Sequence, residues 1–290
     1  MRQIDGHTRL CGLIGNPVEH TMSPVIHNTL AEKEGRNLVY VPFHVEHGQL
    51  RRAVEGAYAL NILGLNVTVP YKEEVIGCLK AVDGMAAQIG AVNTLVRTDG
   101  GYKGYNTDMM GLYRAMCSEG IRLEGEEIIL LGAGGAARAV AFLCASKQAS
   151  KVYLLNRTPE KAKQVAEEVN RVSGRECIIP MRTQDHGEIP ADRKYLAIQA
   201  TSVGLYPHVE DAAIEDAGFY RKIHTGFDLI YRPPETKFMS FVRAEGGQAF
   251  HGLKMLLYQG VIAYELWNGI TVPEEDALAV YGRMKKEMDI

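Results

Sequence analysis

The segment IILLGAGGAARAV, residues 128–140, constrains the fold of this chain more than any other. A short apolar run leads directly into Gly132, Gly134 and Ala137, which match the pattern G-x-G-x-x-A between a strand and a helix. The first glycine permits a tight turn, the second lets the backbone approach a pyrophosphate, and the small third residue allows close helix–strand packing. The segment predicts a Rossmann-like unit in which a helix N-terminus binds a dinucleotide. The expected cofactor-binding residues of this turn are Gly132, Ala133, Gly134, Gly135, Ala136 and Ala137.

The next strand indicates which dinucleotide is bound. NAD-binding proteins usually place Asp or Glu at its end to hold the ribose 2′-hydroxyl. This chain has LLNRTPEK there, with Asn156, Arg157, Thr158 and Lys161. A guanidinium and an ammonium group favour a 2′-phosphate, which a carboxylate would repel. Thr158 is also expected to cap the helix that starts at Pro159, and a capped helix start is itself an anion site. The sequence therefore predicts NADP, with NAD as the weaker alternative.

Composition sets the broad class of the protein. Its 290 residues suggest two domains, and 46% apolar with 23% charged residues are typical of a globular chain. A net charge of −3 argues against a nucleic-acid or membrane surface. The five cysteines form no C-x-x-C pair, which favours reduced thiols in the cytoplasm, and no signal peptide or membrane segment is expected. His44 and His47 alone predict no metal site. A small-molecule substrate and a monomer or homodimer are expected.

Apolar strand-like runs alternate with amphipathic helical stretches, which predicts an α/β fold with largely parallel sheets. Asp99-Gly100-Gly101 interrupts this alternation with a hairpin signal, and Pro42 marks an edge strand. The predicted strands are 9–15, 38–45, 63–69, 128–131, 151–156, 195–200 and 225–231. The predicted helices are 23–35, 49–60, one from about 107, 132–146, 159–172, 253–267 and 273–288.

The stretch LGLNVTVPYKEE, residues 63–74, combines a polar strand face with an oddly placed cation. Asn66 and Thr68 point to the same side of the predicted strand and, with Lys72, are expected to line a cleft. Lys72 follows Pro70 and is expected near a helix start, where the backbone dipole disfavours a positive charge. Asp108 and Ser23 each precede a helical pattern, and both also fit the simpler role of helix caps.

Nine motifs follow one another over nearly the whole chain. They are GNPVEHTMSPVIHN (15–28), NVTVPYK (66–72), GAVNT (90–94), GYNTD (104–108), GAGGAARA, NRT, ATSVGL (200–205), DLIYRPPETKF (228–238) and GLKMLLYQGVIAYELWNG (252–269). In this order they resemble the shikimate dehydrogenase family, including its quinate/shikimate branch. The resemblance implies two α/β domains, with a substrate domain at 1–106, an NADP-binding domain at 107–251, and helices at 252–290 that return to the substrate domain.

The resemblance also implies roles for individual residues. Lys72 and Asp108 are expected to be the catalytic pair beside the hydroxyl group that is oxidised. A lysine beside a carboxylate suits this chemistry, because it can hold the oxygen and relay its proton. The residues expected to bind the substrate carboxylate are Thr21, Ser23 and Tyr231. Those expected at the rest of the substrate are Asn66, Thr68, Asn93 and Gln259, and further cofactor-binding residues are Thr201, Ser202 and Gly252.

Three positions depart from the family pattern. Thr21 stands where serine is common, and its extra methyl group keeps a preference for quinate open. Gln199 and Leu205 stand where Asn and Met are common, on the nicotinamide side of the cofactor. The predicted activity is the reversible NADP-dependent reduction of 3-dehydroshikimate to shikimate, in aromatic amino-acid biosynthesis. The alternatives are a quinate/shikimate dehydrogenase with broader substrate and NAD(P) use, and a non-catalytic dinucleotide or shikimate sensor.

Overall fold

The computed structural model describes residues 4–290, and the chain forms two compact units. The first unit comprises the described part of Met1–Arg114 together with Leu256–Ile290, and the second comprises Ala115–Met255. The boundaries between the two units lie between residues 114 and 115 and between residues 255 and 256. The sequence predicts them a few residues earlier, after 106 and after 251. Each change falls inside a helix, because the helices Asp108–Ser118 and Leu253–Asn268 run on past the predicted boundaries.

The first unit contains a six-stranded mixed sheet in the order β2-β1-β3-β5-β6-β4. Pairing is parallel except where β5 meets β3 and β6. The strands are β1 (Arg9–Gly15), β2 (Leu38–His44), β3 (Gly64–Val67), β4 (Ala81–Val82), β5 (Thr94–Thr98) and β6 (Gly101–Tyr105). The helices that start or end in this unit are α1 (Ser23–Lys33), α2 (Leu50–Ala59), α3 (Gly84–Ile89), α4 (Asp108–Ser118), α9 (Leu253–Asn268) and α10 (Glu274–Glu287).

The second unit contains a six-stranded parallel sheet in the order β12-β11-β10-β7-β8-β9. Its strands are β7 (Glu127–Leu131), β8 (Lys151–Asn156), β9 (Ile178–Arg182), β10 (Tyr195–Gln199), β11 (Ile223–Asp228) and β12 (Gln248–Phe250). Its helices are α5 (Gly135–Ser146), α6 (Pro159–Ser173), α7 (Ala217–Tyr220) and α8 (Lys237–Ala244). No helix within residues 4–290 is long and apolar enough to cross a bilayer.

The predicted α/β class is confirmed, including the return of the C-terminal helices to the first unit. The long strands and helices lie where the alternation of patterns places them, and the hairpin turns at Asp99-Gly100. Six strands or α-helices were not predicted, namely β4, α3, β9, α7, α8 and β12. All but α8 have two to six residues, too few to show a period, and β9 carries Pro180 at the edge of its sheet.

The β2 edge of the first sheet is closed by a side chain. The Asn28 amide on α1 donates to the Tyr40 carbonyl at 3.0 Å and accepts from the Tyr40 N–H at 2.9 Å, as a neighbouring strand would do. Two residues on, and therefore on the same side of the strand, Pro42 has no N–H to offer. The predicted edge position of Pro42 is confirmed, and this edge presents few free groups for pairing with another strand.

Trp267 fixes helix α9 on the first sheet. Its indole lies directly over Gly64 of β3, where a Cβ atom would overlap the ring. The indole N–H donates to the Leu95 carbonyl of β5 at 2.9 Å, so the ring spans two strands and is satisfied although buried. This contact covers the face of β3 that carries Gly64 and Asn66.

Replacing Gly64 with alanine tests this contact. We expect Gly64→Ala to lower the free energy of unfolding by about 1–3 kcal/mol, because the new methyl group overpacks the indole. The matched control is Gly56→Ala in the middle of α2, where a Cβ atom meets nothing within 4 Å. There we expect a gain of about 0.5–1 kcal/mol from helix propensity. Urea unfolding measures both, and equal effects would contradict the proposed packing.

Candidate functional site

Polar segments gather at one edge of the first sheet. Strands β1, β3 and β6 run in the same direction, so their carboxyl ends lie at this edge. The segments that follow them are 16–23, 68–72 and 106–108, and these carry the predicted catalytic pair together with Thr21, Ser23 and Thr68. The edge therefore brings together motifs that lie far apart in the sequence.

Lys72 and Asp108 form an ion pair at this edge. The Lys72 Nζ donates to Asp108 Oδ2 at 2.7 Å, and the two side chains are 34% and 25% exposed. The pair is therefore reachable from solvent while it is held by the fold. Such an arrangement can hold a hydroxyl oxygen and exchange its proton.

The local structure of both residues differs from the helix-start and helix-cap expectations. Lys72 lies in a turn before a short 3₁₀ helix, Glu74–Cys78, rather than at the start of an α-helix, and its carbonyl accepts from the Val92 N–H at 2.8 Å. Asp108 is the first residue of α4, but the oxygen that accepts from its N–H belongs to Asn106, at 3.1 Å. The Asp108 carboxylate is thereby left for Lys72 and does not cap the helix.

Thr21 and Ser23 lie together before and at the start of α1. The Thr21 hydroxyl donates to Ser23 Oγ at 3.1 Å and accepts from the Ser23 N–H at 3.2 Å. Ser23 is the first helical residue and not the cap, because the capping position belongs to Met22, which makes no side-chain bond there. The two hydroxyl groups form a compact pair of the kind that suits an anion.

Asn93, Thr68 and Gln259 are brought to the same region of the first unit. Asn93 accepts from the Thr107 N–H at 2.8 Å and donates to the Thr107 hydroxyl at 3.0 Å, next to Asp108. Thr68 packs against Gly15, where a Cβ atom would overlap the Thr68 methyl group. Gln259 lies where α9 crosses α4, and its amide donates to the Leu256 carbonyl at 2.8 Å.

Asn66 does not line an open cleft. Its side chain is buried, because α1 and α9 cover this face of β3. Its amide hydrogens are directed to the Asn93 carbonyl at 3.3 Å and the Thr94 hydroxyl at 3.1 Å. Its oxygen accepts from the Tyr40 hydroxyl at 2.8 Å and lies 3.1 Å from His27 Nε2. An amide offers two donors and two acceptor positions, so all four are used within the protein.

His27 is a buried neutral histidine beside this amide. Because the Asn66 oxygen faces it, His27 Nε2 carries the proton, and Nδ1 has no partner within the described residues. The ring stacks on Tyr40 with centroids 4.2 Å apart and lies against Trp267 at 4.9 Å. Burial lowers the pKa of His27 to about 3, while the bond to Asn66 acts in the opposite direction.

Several residues of this region were not predicted from the sequence. His27, Tyr40, Thr94 and Thr107 are buried and join the predicted residues to one another. His27 lies inside a quoted motif, but a lone histidine on a helix gives no signal of a partner. Tyr40 reads as an ordinary strand residue. Only the assembled sheet places them next to Asn66.

The glycine-rich turn of the second unit has the predicted form. Gly132 has a φ of +109°, and a Cβ atom there would meet the Thr201 methyl group at 3.0 Å, so glycine is favoured on both grounds. Gly134 is the N-cap of α5 and, like Gly135 and Ala136, is exposed. The space around Gly134 and Gly135 is open, which leaves the first N–H groups of the helix accessible to an anion. Ala137 is fully buried against the sheet.

The residues predicted to hold a 2′-phosphate lie at the end of the next strand. Asn156 is the last residue of β8, so no acid occupies that position, and its amide donates to the Thr158 carbonyl at 2.9 Å. Thr158 is the N-cap of α6 as predicted, but its hydroxyl makes no capping bond. Arg157 and Lys161 are exposed. A cavity of about 530 Å³ adjoins Arg157 and is also lined by Arg182 and His186.

Buried polar side chains at the ends of β10 and β11 form hydrogen bonds with the loops that follow these strands. Gln199 accepts from the Thr201 N–H at 2.6 Å and donates to the Val203 carbonyl at 3.0 Å, so it shapes the segment that carries Thr201 and Ser202. Asp228 accepts from the Ile230 N–H at 2.9 Å and from the Thr236 hydroxyl at 2.6 Å. Burial raises the pKa of Asp228 to about 6.

Tyr231 and Gly252 are close in the fold of the second unit. Gly252 N donates to the Ile230 carbonyl at 3.0 Å, next to Tyr231. A Cβ atom at Gly252 would overlap the Leu229 carbonyl, which explains a glycine at this place. Leu205 is exposed, and within residues 4–290 no group of three metal-ligating side chains is arranged to hold a metal ion.

The chain matches three family models in turn. Residues 13–95 match the shikimate dehydrogenase substrate binding domain. Residues 115–181 match shikimate / quinate 5-dehydrogenase, and residues 252–280 match the shikimate 5′-dehydrogenase C-terminal domain. The first match contains Lys72, and the second contains the glycine-rich turn.

Proteins of known name and structure agree with these matches. The chain is 41% identical over 288 residues to the shikimate dehydrogenase (NADP(+)) of Moorella thermoacetica, covering 99% of this chain and 96% of that one. It resembles a Listeria monocytogenes shikimate 5-dehydrogenase solved with shikimate and NAD, with 30% identity, a TM-score of 0.88 and coverage of 97% and 98%. A shikimate dehydrogenase solved with NADP+ is 36% identical, with a TM-score of 0.85 and 96% of each chain covered. The chain belongs to the shikimate dehydrogenase family.

The buried His27 predicts how stability depends on pH. Its folded-state pKa lies below the value of about 6.5 expected when unfolded, so protons bind preferentially to the unfolded chain as the pH falls below that value. We expect this residue alone to remove about 2 kcal/mol of stability between neutral pH and about pH 5. His27→Gln, which can still donate to Asn66, should lose that part of the pH dependence. Urea unfolding across this range measures it, and equal slopes for both proteins would contradict the assignment.

Proposed function

We propose that this protein catalyses the reversible NADP-dependent reduction of 3-dehydroshikimate to shikimate, in the shikimate pathway of aromatic amino-acid biosynthesis. The observation that carries the proposal is the Lys72–Asp108 pair at 2.7 Å, at the polar edge of the first sheet. Lys72 lies in the region that matches the family's substrate-binding domain. The names of the curated relatives support both the reaction and the cofactor.

The substrate carries a carboxylate and ring hydroxyl groups, and the site offers a partner for each. We assign the carboxylate to the hydroxyl groups of Thr21 and Ser23, which lie at a helix N-terminus that favours negative charge. The ring hydroxyl groups are assigned to Thr68, Asn93 and Gln259, together with the catalytic pair. Asn66, whose donors and acceptors are all occupied, is assigned to the support of these residues.

The reaction removes a hydride from carbon and a proton from oxygen. In shikimate oxidation the Lys72 ammonium group stabilises the developing negative charge on the alcohol oxygen. As the C=O bond forms, Lys72 passes one of its protons to the Asp108 carboxylate and takes the hydroxyl proton in its place, and in reduction the same two transfers run in reverse. Because Asp108 holds Lys72 in place, the Lys72 ammonium group is oriented before the substrate binds.

The cofactor site fits a dinucleotide with a 2′-phosphate. The open N–H groups at Gly134 and Gly135 suit a pyrophosphate, and Thr201 lies beside Gly132 of the same turn. Ala133, Ala136 and Ser202 are assigned to the cofactor together with them. Arg157, Thr158 and Lys161 suit the 2′-phosphate, with Asn156 shaping their turn. NADP accepts the hydride when it is bound. NAD remains the weaker alternative.

One residue keeps the broader quinate/shikimate activity open. Thr21 carries a methyl group beside the assigned carboxylate site, and its hydroxyl is already bonded to Ser23. A saturated ring presents its carboxylate at a different angle, so this methyl group affects the choice between the two substrates. A non-catalytic sensor is disfavoured, since such a protein does not require both members of the Lys72–Asp108 pair.

We further propose that the enzyme works in the cytoplasm as a monomer or homodimer. The five cysteines are all free thiols, and Cys11 and Cys144 are buried with a pKa raised by burial to about 12. Unpaired, unreactive thiols are typical of a reducing compartment. Neither nucleic acid nor membrane is a proposed partner.

Lys72→Met tests the catalytic pair, because methionine keeps the side-chain length and removes the charge. We expect kcat for shikimate oxidation to fall by about 10²–10⁴, the usual contribution of acid–base catalysis. The matched control is Lys33→Met, which breaks a 2.8 Å pair with Asp276 of similar exposure in the same unit. The assay follows reduced nicotinamide with shikimate and with quinate. Absence of wild-type turnover with shikimate, or equal loss in both variants, would contradict the proposal.

Arg157→Gln and Lys161→Gln test the cofactor. We expect each to raise KM for NADP by on the order of tenfold, because each removes a charged partner of the 2′-phosphate, and to leave KM for NAD nearly unchanged. Lys163→Gln is the control, since Lys163 lies on the same helix and pairs with Glu167. The two KM values are measured by initial rates. An equal change for NADP and NAD would show that these residues do not read the phosphate.

A further inference from the structure

We propose that Tyr40 is a positioning residue of the shikimate site, acting through the Asn66 amide on Asn93. This inference rests on the proposed function, because Asn93 is there assigned to the substrate. Tyr40 itself is buried in strand β2 and is not among the residues assigned to touch the substrate.

Tyr40 is held on three sides. The Asn28 side chain bonds both its N–H and its carbonyl, which fixes the backbone. The His27 ring stacks on the phenol ring at 4.2 Å with an angle of 19°, and Trp267 lies 6.0 Å away. The hydroxyl group therefore has a defined position, and it donates to Asn66 Oδ1 at 2.8 Å.

From Asn66 the bonds continue to the substrate side. The Asn66 amide donates to the Asn93 carbonyl and to Thr94 Oγ1, at 3.3 and 3.1 Å. The Thr94 hydroxyl lies 3.0 Å from Asn93 Oδ1 and 3.2 Å from Thr107 Oγ1. Asn93 also accepts from the Thr107 N–H, directly before Asp108. The orientation of the Asn93 amide is thus set by a continuous buried chain of hydrogen bonds that starts at Tyr40.

Every group in this chain of hydrogen bonds is neutral. Proton transfer is instead assigned to the Lys72–Asp108 pair. Loss of the Tyr40 hydroxyl is therefore expected to loosen substrate binding rather than the chemical step. Without the Tyr40 hydroxyl, the buried Asn66 oxygen would keep only the His27 N–H as a donor. The Asn66 amide would then be free to tilt toward the vacated space. The signature of positioning is a change in KM for shikimate with little change in kcat.

The test compares Tyr40→Phe with Tyr102→Phe. Tyr102 is also a buried tyrosine of the first sheet, and its hydroxyl donates to the Ile62 carbonyl at 2.7 Å, away from the assigned residues. Both variants lose one buried hydroxyl bond, so similar decreases in Tm are expected. We expect Tyr40→Phe to raise KM for shikimate about five- to tenfold, with kcat within about twofold and KM for NADP unchanged. Tyr102→Phe should leave all three parameters at wild-type values.

Thr94→Val cuts the same chain at another link, because valine keeps the shape and removes the hydroxyl group. It should raise KM for shikimate in the same way, and the double variant with Tyr40→Phe should show less than the product of the two effects. A wild-type KM in Tyr40→Phe, equal KM changes in Tyr40→Phe and Tyr102→Phe, or fully multiplicative effects would overturn the proposal. Wild-type turnover of shikimate is measured first, so that failure of the proposed function is seen separately from failure of the positioning role.

Discussion

The first unit depends on one desolvated amide. Asn66 lies where α9 and α1 cover the sheet, and a buried amide without partners would cost more than most single interactions contribute. Its bonds to β2, α1 and β5 can all form only in one register of these elements. Apolar packing on the same sheet would tolerate small shifts of these elements, but the hydrogen bonds of Asn66 would not. The hydrogen bonds of Asn66 therefore specify the register, and the apolar packing stabilises it.

The charged and the neutral side chains of this region differ in their exposure to solvent. The groups that carry charge, Lys72 and Asp108, keep a quarter to a third of their side chains exposed, so little solvation is lost in the free protein. The fully buried groups are neutral, including His27, whose single proton faces Asn66. This arrangement keeps the ion pair accessible and the neutral groups around it buried. It also avoids the large cost of an unpaired buried charge.

The sequence predicts the parts of this molecule whose signal is local. The glycine turn with Gly132 and Ala137, the strand end at Asn156 and the edge position of Pro42 follow from backbone geometry and short spacing. The environment of Asn66 does not, because alternation along β3 shows only which face it shares with Gly64, and the helix that covers this face lies about 200 residues later in the chain. Ser23 and Asp108 show the same limit. Each residue type fits a helix cap, but Met22 occupies the cap position before α1, and the Asn106 side chain accepts from the Asp108 N–H at the start of α4.

The amide of Asn28 has a consequence beyond the edge it closes. By bonding both backbone groups of Tyr40 it takes the place of a seventh strand, and it also fixes the residue whose phenol reaches Asn66. Protection of this sheet edge from strand pairing and the position of the phenol that bonds to Asn66 therefore share one side chain. A substitution at Asn28 that alters the edge also removes the support of Tyr40, and with it part of the support of the residues proposed to bind the substrate.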